Sequence, residues 1–270
     1  MSNGLPRSIL VAAFLIIGMA LSIRLRKLTR MAALTGALSG WIIYLGAGIP
    51  GLLFLAAFFL LGTLATSWKK EEKDPAGLET ASGEGTDSAE AGSESLSSET
   101  VGSETVGSET ADSETRRPGQ VLANAGVATI LAGTAILYPQ HASMLLFMIA
   151  ASFASATADT LSSELGMVYG RRFYNCLSWK KDNKGLDGVV STEGTLIGIA
   201  GASMIAGIDG LSAGWSIGCL VIILAGALGN FADSILGATL ERKRLLGNDA
   251  VNFISTAIAA LAAGLFFSSR

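Results

Sequence analysis

Long apolar runs separated by short polar connections dominate this chain. The runs predict membrane spans at about Ser8 to Ile23, Met31 to Ala47, Gly51 to Trp68, Val121 to Tyr138, Ala142 to Tyr169, Val189 to Gly207, Leu211 to Leu240 and Val251 to Phe267. Several approach the ~20 residues that a helix needs to cross a bilayer. The pattern predicts an all-α, polytopic transmembrane bundle of about seven to eight helices. Unequal run lengths point to tilts, breaks or half-helices, and Gly48-Ile49-Pro50-Gly51 marks a turn between the second and third runs.

The polar connections give the orientation. Arg24, Arg26, Lys27 and Arg30 share one connection, Lys69, Lys70, Arg116 and Arg117 flank the next, Arg171 to Lys184 fill a third, and Arg242, Lys243 and Arg244 a fourth. They alternate with connections nearly free of Lys and Arg, so the positive-inside rule predicts cytoplasmic basic loops and both termini outside, in a protein of the cell membrane. Three segments follow: N-terminal membrane helices over 1–68, a linker over 69–119 and C-terminal membrane helices over 120–270. The linker is rich in Glu, Ser, Thr and Gly, repeats VGSET at Val101 and Val106, and places SET every five residues from Ser98 to Thr115. With almost nothing to bury, it is expected to be a disordered, acidic cytoplasmic spacer.

Composition agrees. Half of the 270 residues are hydrophobic, only 15 % are charged and mean hydropathy is +0.50, which marks an integral membrane protein. Formal net charge is -3, but over half of the acidic residues lie between Glu71 and Glu114, and the rest of the chain is basic. The N-terminal run has no small-residue cleavage site before Arg24 and reads as a retained helix rather than a signal peptide. Cys176 and Cys219 are far from any CxxC spacing and read as structural thiols. His141 falls in an external turn beside Pro139, away from any chemistry. No Walker A pattern, nucleophile elbow or dinucleotide fingerprint occurs, and no nucleic-acid partner is expected.

Candidate chemistry concentrates between Ala158 and Thr195. Asp159 and Glu164 interrupt an apolar run; Arg171, Arg172, Lys180, Lys181 and Lys184 follow; Gly185, Gly188, Ser191, Glu193 and Gly194 close the stretch. Carboxylates can hold a divalent cation, basic groups can neutralise phosphates, and glycines bring backbone amides close to phosphate oxygens. Asp159 and Glu164 are five apart, about 140° around a helix, so one ion reaches both only if the helix is distorted or a second helix completes the site. A partner comes from a later span, where Gly226, Asn230, Asp233, Gly237 and Glu241 share a side and Ala232-Asp233-Ser234-Ile235 echoes Ala158-Asp159-Thr160-Leu161. Asn248, Asp249 and Asn252 open the last span. Mid-membrane carboxylates cost ~2.5 to 3.5 kcal/mol each on insertion scales, so Asp159, Glu164 and Asp233 point to function. Ser191 to Thr195 suits an anion site at a helix N-terminus, although the positive-inside rule alone would explain the basic loop. Thr63, Thr66, Gln120 and Asn124 read as interhelical hydrogen bonds.

These residues resemble an integral membrane family first catalogued as a domain of unknown function, number ninety-two, which includes the chloroplast phytyl-phosphate kinase of vitamin E synthesis and the animal transmembrane protein 19. The matching pieces are Phe59 to Gly62 with Thr63 and Thr66, Gln120 to Gly126, Ala158 to Gly166, the Gly185 to Gly194 loop, Gly229 to Leu236 and Asn248 to Asn252. More distantly, Asp159, Gly170-Arg171-Arg172, Lys184 and Ser191 to Thr195 resemble the acid, basic loop and KSxEGT arrangement of the CTP-dependent polyprenol, phytol and dolichol kinases. This chain departs from them at Ala158 and at Gly188-Val189-Val190. The resemblance implies phosphoryl transfer from CTP or another nucleoside triphosphate to a prenyl monophosphate such as phytyl or geranylgeranyl phosphate. Asp159, Asp233 and Glu164 would hold Mg2+, Arg171, Arg172 and Lys184 would neutralise phosphates, and Ser191 and Gly194 would cradle the anion. Glu193, Asn230, Asn248, Asp249 and Asn252 complete the expected site, with prenyl lipid, nucleotide and membrane lipids as partners. Two alternatives stay open: a cytidylyltransferase forming a CDP-lipid, and a secondary transporter with Asp159 and Asp233 as an acidic relay.

Overall fold

A computed structural model of the chain describes residues 4–69 and 115–269; the VGSET repeats and most of the acidic linker lie outside the described residues. Helices α1 (Gly4–Arg24), α2 (Arg30–Ser67), α3 (Pro118–Leu137), α4 (Ala142–Tyr169), α5 (Thr192–Ala213), α6 (Ile217–Leu236) and α7 (Asn248–Ser268) form the bundle. All seven are long and apolar enough to cross a membrane. The 38-residue α2 is broken at Gly48, whose φ of 65° and ψ of -156° are non-helical. The chain reverses there, because Lys27, just before α2, reaches its far end and donates to the Ser67 hydroxyl at 2.9 Å. The eight expected spans and the seven helices are thus reconciled: α2 contributes two arms.

Local chemistry sets the helix ends. The Thr29 hydroxyl accepts from Ala32 N and opens α2, Pro118 occupies the first turn of α3 while the Gln120 side chain accepts from Arg117 N, and the Ser191 and Ser216 side chains cap α5 and α6. Two boundaries differ from expectation. The span expected from Val189 begins at Thr192, because Val189–Val190 pairs antiparallel with Tyr174–Asn175, β2 with β1, and Ser191 then caps the helix. The run expected from Leu211 is split, because Gly214 takes φ 98° and ends α5 before Ser216 restarts the helix.

α4 is the hub, packed against α2, α3, α5, α6 and α7, and its Ile149, Phe153, Ala150, Ala151, Ala154 and Ala158 are fully enclosed with Phe54, Ile205 and Ile222. Small residues let backbones approach: a Cβ on Gly226 would sit 2.9 Å from the Ala154 Cβ, the close contact that associates helices where lipid removes any hydrophobic drive between them. Leu10, Leu34, Leu60, Ile130 and Leu265 stay exposed around the perimeter, as lipid-facing side chains do.

The basic connections meet at one end of the bundle. The Trp68 indole donates to the Tyr169 hydroxyl, Arg116 N donates to Lys27 O, and Arg242 bonds Asp182. Gly4, at the start of α1, and Ser268, at the end of α7, lie at the other.

Candidate active site

Asp159 sits ten residues before the end of α4, about 15 Å along its axis. Asp233 lies near the end of α6, which continues as a π-helical turn over Gly237–Glu241, a distortion often found at functional sites. The two carboxyl groups touch, so the echoed tetrapeptides bring their acids to one point. Glycine makes this possible: Gly198 of α5 packs with its would-be Cβ 2.9 Å from both Ala158 O and Asn230 Nδ2. The Ser162 hydroxyl bridges to Asn230 Oδ1 at 3.1 Å, tying α4 to α6. Asp233 also meets the Ser255 hydroxyl of α7. Even so, among the described residues Asp233 Oδ1 and Asn252 Oδ1 are buried without a hydrogen-bond partner. Buried acceptors in that condition are expensive.

Around the pair opens a cavity of about 700 Å3 at the basic end. Five carboxylates line it (Asp159, Glu164, Asp187, Asp233 and Glu241), with the amides of Gln120, Asn124, Asn230, Asn248 and Asn252. Leu196 and Ile199 of α5 and Phe231 of α6 also line it, and all three are exposed on the bundle's flank. The space therefore joins a highly acidic centre to an apolar, lipid-facing wall.

The loop between α4 and α5 covers one side. Gly188 takes φ 70° with a Cβ position already filled by Ala238 and Ser234 O, a placement only glycine accepts. The Cys176 thiol donates to Ser234 O at 3.2 Å, Arg242 Nε donates to Asp187 O at 2.6 Å, and Arg242 Nη2 pairs with Asp182 at 2.9 Å. The Arg242 hydrogen bond holds the Asp182 carboxyl below its ordinary range, and burial pushes the Cys176 thiol up. Both cysteines are buried and free of a disulfide.

The structure gathers Asp159, Glu164, Asp233, Gly185, Gly188, Ser191, Gly194, Asn230, Asn248 and Asn252 around this cavity. It leaves Arg171, Arg172, Lys184, Glu193 and Asp249 off its lining. Arg171 and Arg172 follow α4 as exposed residues at the loop's start, where Arg171 N donates to Glu193 Oε2 at 3.4 Å. Glu193 is thereby spent on joining the ends of α4 and α5. Asp249 turns toward Gly119 and the start of α3. Ser191 Oγ accepts from Gly194 N as the α5 cap. Glu164 lines the same cavity, where its Oε1 accepts from Thr66 Oγ1 at 3.0 Å.

Sequence reasoning placed Arg116 only among the positive-inside residues and missed Asp187 altogether. Gln120 and Asn124, expected to bond neighbouring helices, line the cavity instead, although Asn124 Nδ2 also bonds back to Gln120 O. An extra polar residue facing an apolar face was a usable signal for the amides; nothing local marked Asp187. Among the described residues no group of three His, Cys, Asp or Glu is placed to hold a metal, so the acid pair would need amide or ligand oxygens to complete any coordination.

The family described as integral membrane protein DUF92 matches residues 12–260, and the chain belongs to that family. It is 28 % identical over 246 residues to an uncharacterized membrane protein of Methanocaldococcus jannaschii, covering 90 % of this chain and 87 % of that one. It is 26 % identical over 242 residues to Protein VTE6, chloroplastic, of Arabidopsis thaliana, covering 84 % of this chain but only 61 % of the plant protein. A Synechocystis uncharacterized membrane protein is 29 % identical over 234 residues, covering 84 % of this chain and 78 % of its own. No solved structure matches significantly.

Proposed function

We propose that this DUF92-family protein is a membrane phosphotransferase that passes the terminal phosphoryl group of a nucleoside triphosphate, CTP by its resemblance to the polyprenol and dolichol kinases, to a prenyl monophosphate. The observation that carries this reading is a cavity that sets touching carboxylates, one with an orphaned oxygen, beside a lipid-facing apolar wall. A water-soluble substrate would have no use for the second feature.

The donor set fits magnesium. Hard oxygen ligands from one or two carboxylates, completed by substrate phosphates and water, are its usual protein site. Asp159 and Asp233 would hold the ion, with Asn252 Oδ1 and the unpartnered Asp233 Oδ1 as the available oxygens. When bound, Mg2+ neutralises charge on phosphate oxygens during transfer. A phosphate oxygen of the prenyl monophosphate attacks the terminal phosphorus, the bond from that phosphorus to the bridging oxygen breaks, and the nucleoside diphosphate leaves with the electron pair. The acceptor is already an anion, so no histidine base is required, and positioning with charge neutralisation suffices. Asn230, fixed by Ser162, shapes the acidic centre. The prenyl chain leaves along Leu196, Ile199 and Phe231 into the bilayer. The basic end would face the cytoplasm, where the nucleotide is.

The purified, detergent-solubilised chain incubated with geranylgeranyl or phytyl phosphate, CTP and magnesium should yield prenyl diphosphate and CDP by mass, and Asp159→Asn should abolish both. CDP-lipid with pyrophosphate would replace the kinase by a cytidylyltransferase. Absence of any lipid- and Asp159-dependent turnover across several nucleotides, with ion-coupled flux in vesicles, would replace it by a transporter whose paired acids on α4 and α6 form the relay.

A further inference from the structure

Among the described residues, the five acidic side chains that line the cavity are joined by one basic side chain, Arg116. It is far from the basic loop in sequence and belongs to the chain entering α3. Its backbone is pinned: Arg116 N donates to Lys27 O at 3.1 Å, its carbonyl accepts from Thr29 N at 3.2 Å, and it bridges in parallel with Leu28. The next residue, Arg117, caps α3. The Cα is thus fixed by the turn between α1 and α2, and the side chain is fixed by what it crosses. Its guanidinium carbon lies 5.9 Å from the centre of the Phe58 ring. Gly62 leaves it room, since a Cβ there would be 3.0 Å from Nη2. Glu164, whose Oε1 accepts from Thr66 Oγ1, supplies an opposing charge.

We infer that Arg116 is the anion-recognition residue of this site, presenting its planar fork to a phosphate group of the substrate. This rests on the phosphoryl-transfer reading. A purely structural Arg116–Glu164 pair would not need a place in the cavity lining, a glycine to make room for it, or a backbone clamped from both sides. A guanidinium has five N–H donors and a geometry that matches phosphate oxygens in pairs. Holding it in place before the ligand arrives spares the ordering cost that a free arginine would add. Arg171, Arg172 and Lys184 remain outside the lining, which leaves Arg116 to offset phosphate charge among five carboxylates. The N-terminal helices then complete a site whose acids all come from the C-terminal part.

The test uses the full chain in detergent with magnesium and compares binding of geranylgeranyl phosphate, geranylgeraniol, CTP and inorganic pyrophosphate to the parent and to Arg116→Gln, Arg116→Lys and Gly62→Ala. Removing a charge-assisted hydrogen bond predicts on the order of tenfold to a hundredfold weaker binding of the phosphate ligand by Arg116→Gln, with geranylgeraniol unchanged. Arg116→Lys should fall between, because it keeps charge but loses the fork. Gly62→Ala keeps the arginine and crowds it, so it should weaken the same ligand even if Arg116→Gln folds poorly. Loss confined to geranylgeranyl phosphate places Arg116 on the lipid headgroup, and loss confined to CTP places it on the nucleotide; either supports the inference. Unchanged phosphate affinities in the folded variants overturn it and leave the kinase reading standing. If the parent binds neither lipid phosphate nor CTP, the kinase reading falls, and pyrophosphate decides separately: Arg116-dependent binding keeps the anion site, and none removes it.

Discussion

Asp159→Asn should make the protein more stable without magnesium and less responsive to it. Two carboxylates in contact repel unless a cation or a proton lies between them. With both ionised and no cation between them, unit charges about 4 Å apart at an effective dielectric of about 20 repel by up to ~4 kcal/mol, and a shared proton reduces this. An asparagine amide at 159 removes that repulsion and offers a donor to the unpartnered Asp233 Oδ1, relieving a further ~1 to 3 kcal/mol. The two contributions overlap, and part is already relieved by Ser255 beside Asp233, so a net gain of about 1 to 4 kcal/mol is expected. At roughly 2 to 4 °C per kcal/mol for a chain of this size, the metal-free melting temperature should rise by several degrees. Tryptophan-fluorescence melts in EDTA and in magnesium check both halves. The parent should gain from magnesium according to its occupancy, and the variant should gain little. A variant that melts at or below the parent in EDTA, or that responds to magnesium as the parent does, refutes the placement of an ion-binding acid pair at Asp159 and Asp233.

Gly198→Val should destabilise by about 1 to 3 kcal/mol or more through overpacking, because its Cβ would meet Ala158 O and Asn230 Nδ2; unchanged melting would show that α5 does not press on the acid pair. The Arg242 hydrogen bond depresses Asp182, so the order it gives the loop is present above the ordinary carboxylate range and is lost as pH falls through the lower folded value. Hydrogen-exchange protection of 174–189, corrected for intrinsic rate, should therefore persist through about pH 4 and drop only as pH falls below it in the parent, and be low throughout in Arg242→Gln. Equal protection in the two proteins at pH 6 would sink that account. The buried Cys176 thiol, raised by desolvation, should alkylate at pH 7.5 far more slowly than it does after denaturation; fast labelling in the folded protein would contradict its burial.

The spans were legible because a bilayer imposes one length and one polarity on every crossing, and Gly48-Ile49-Pro50-Gly51 announced the reversal that the broken α2 makes. Asp159 and Asp233 were legible for a related reason: carboxylates inside apolar runs are costly, so their presence required an explanation, and the echoed tetrapeptides named the partner. What could not be read was which side of each connection faces inward. Arg171, Arg172 and Lys184 looked suitable because they follow the acids in the chain, but proximity in sequence placed them on the exposed part of the loop rather than over the cavity. Arg116 looked like one more positive-inside residue. Its role depends on a backbone bridge to Leu28, a pairing across the entire acidic linker that no local pattern encodes. Charge at a membrane surface serves orientation in most positions, so composition cannot separate an arginine that only orients the protein from one that also recognises a ligand. That separation comes from packing: Gly62 and Phe58 form the slot in which Arg116 lies, and glycines in membrane helices opposite a long cationic side chain are the feature by which similar hidden arginines can be sought in other chains.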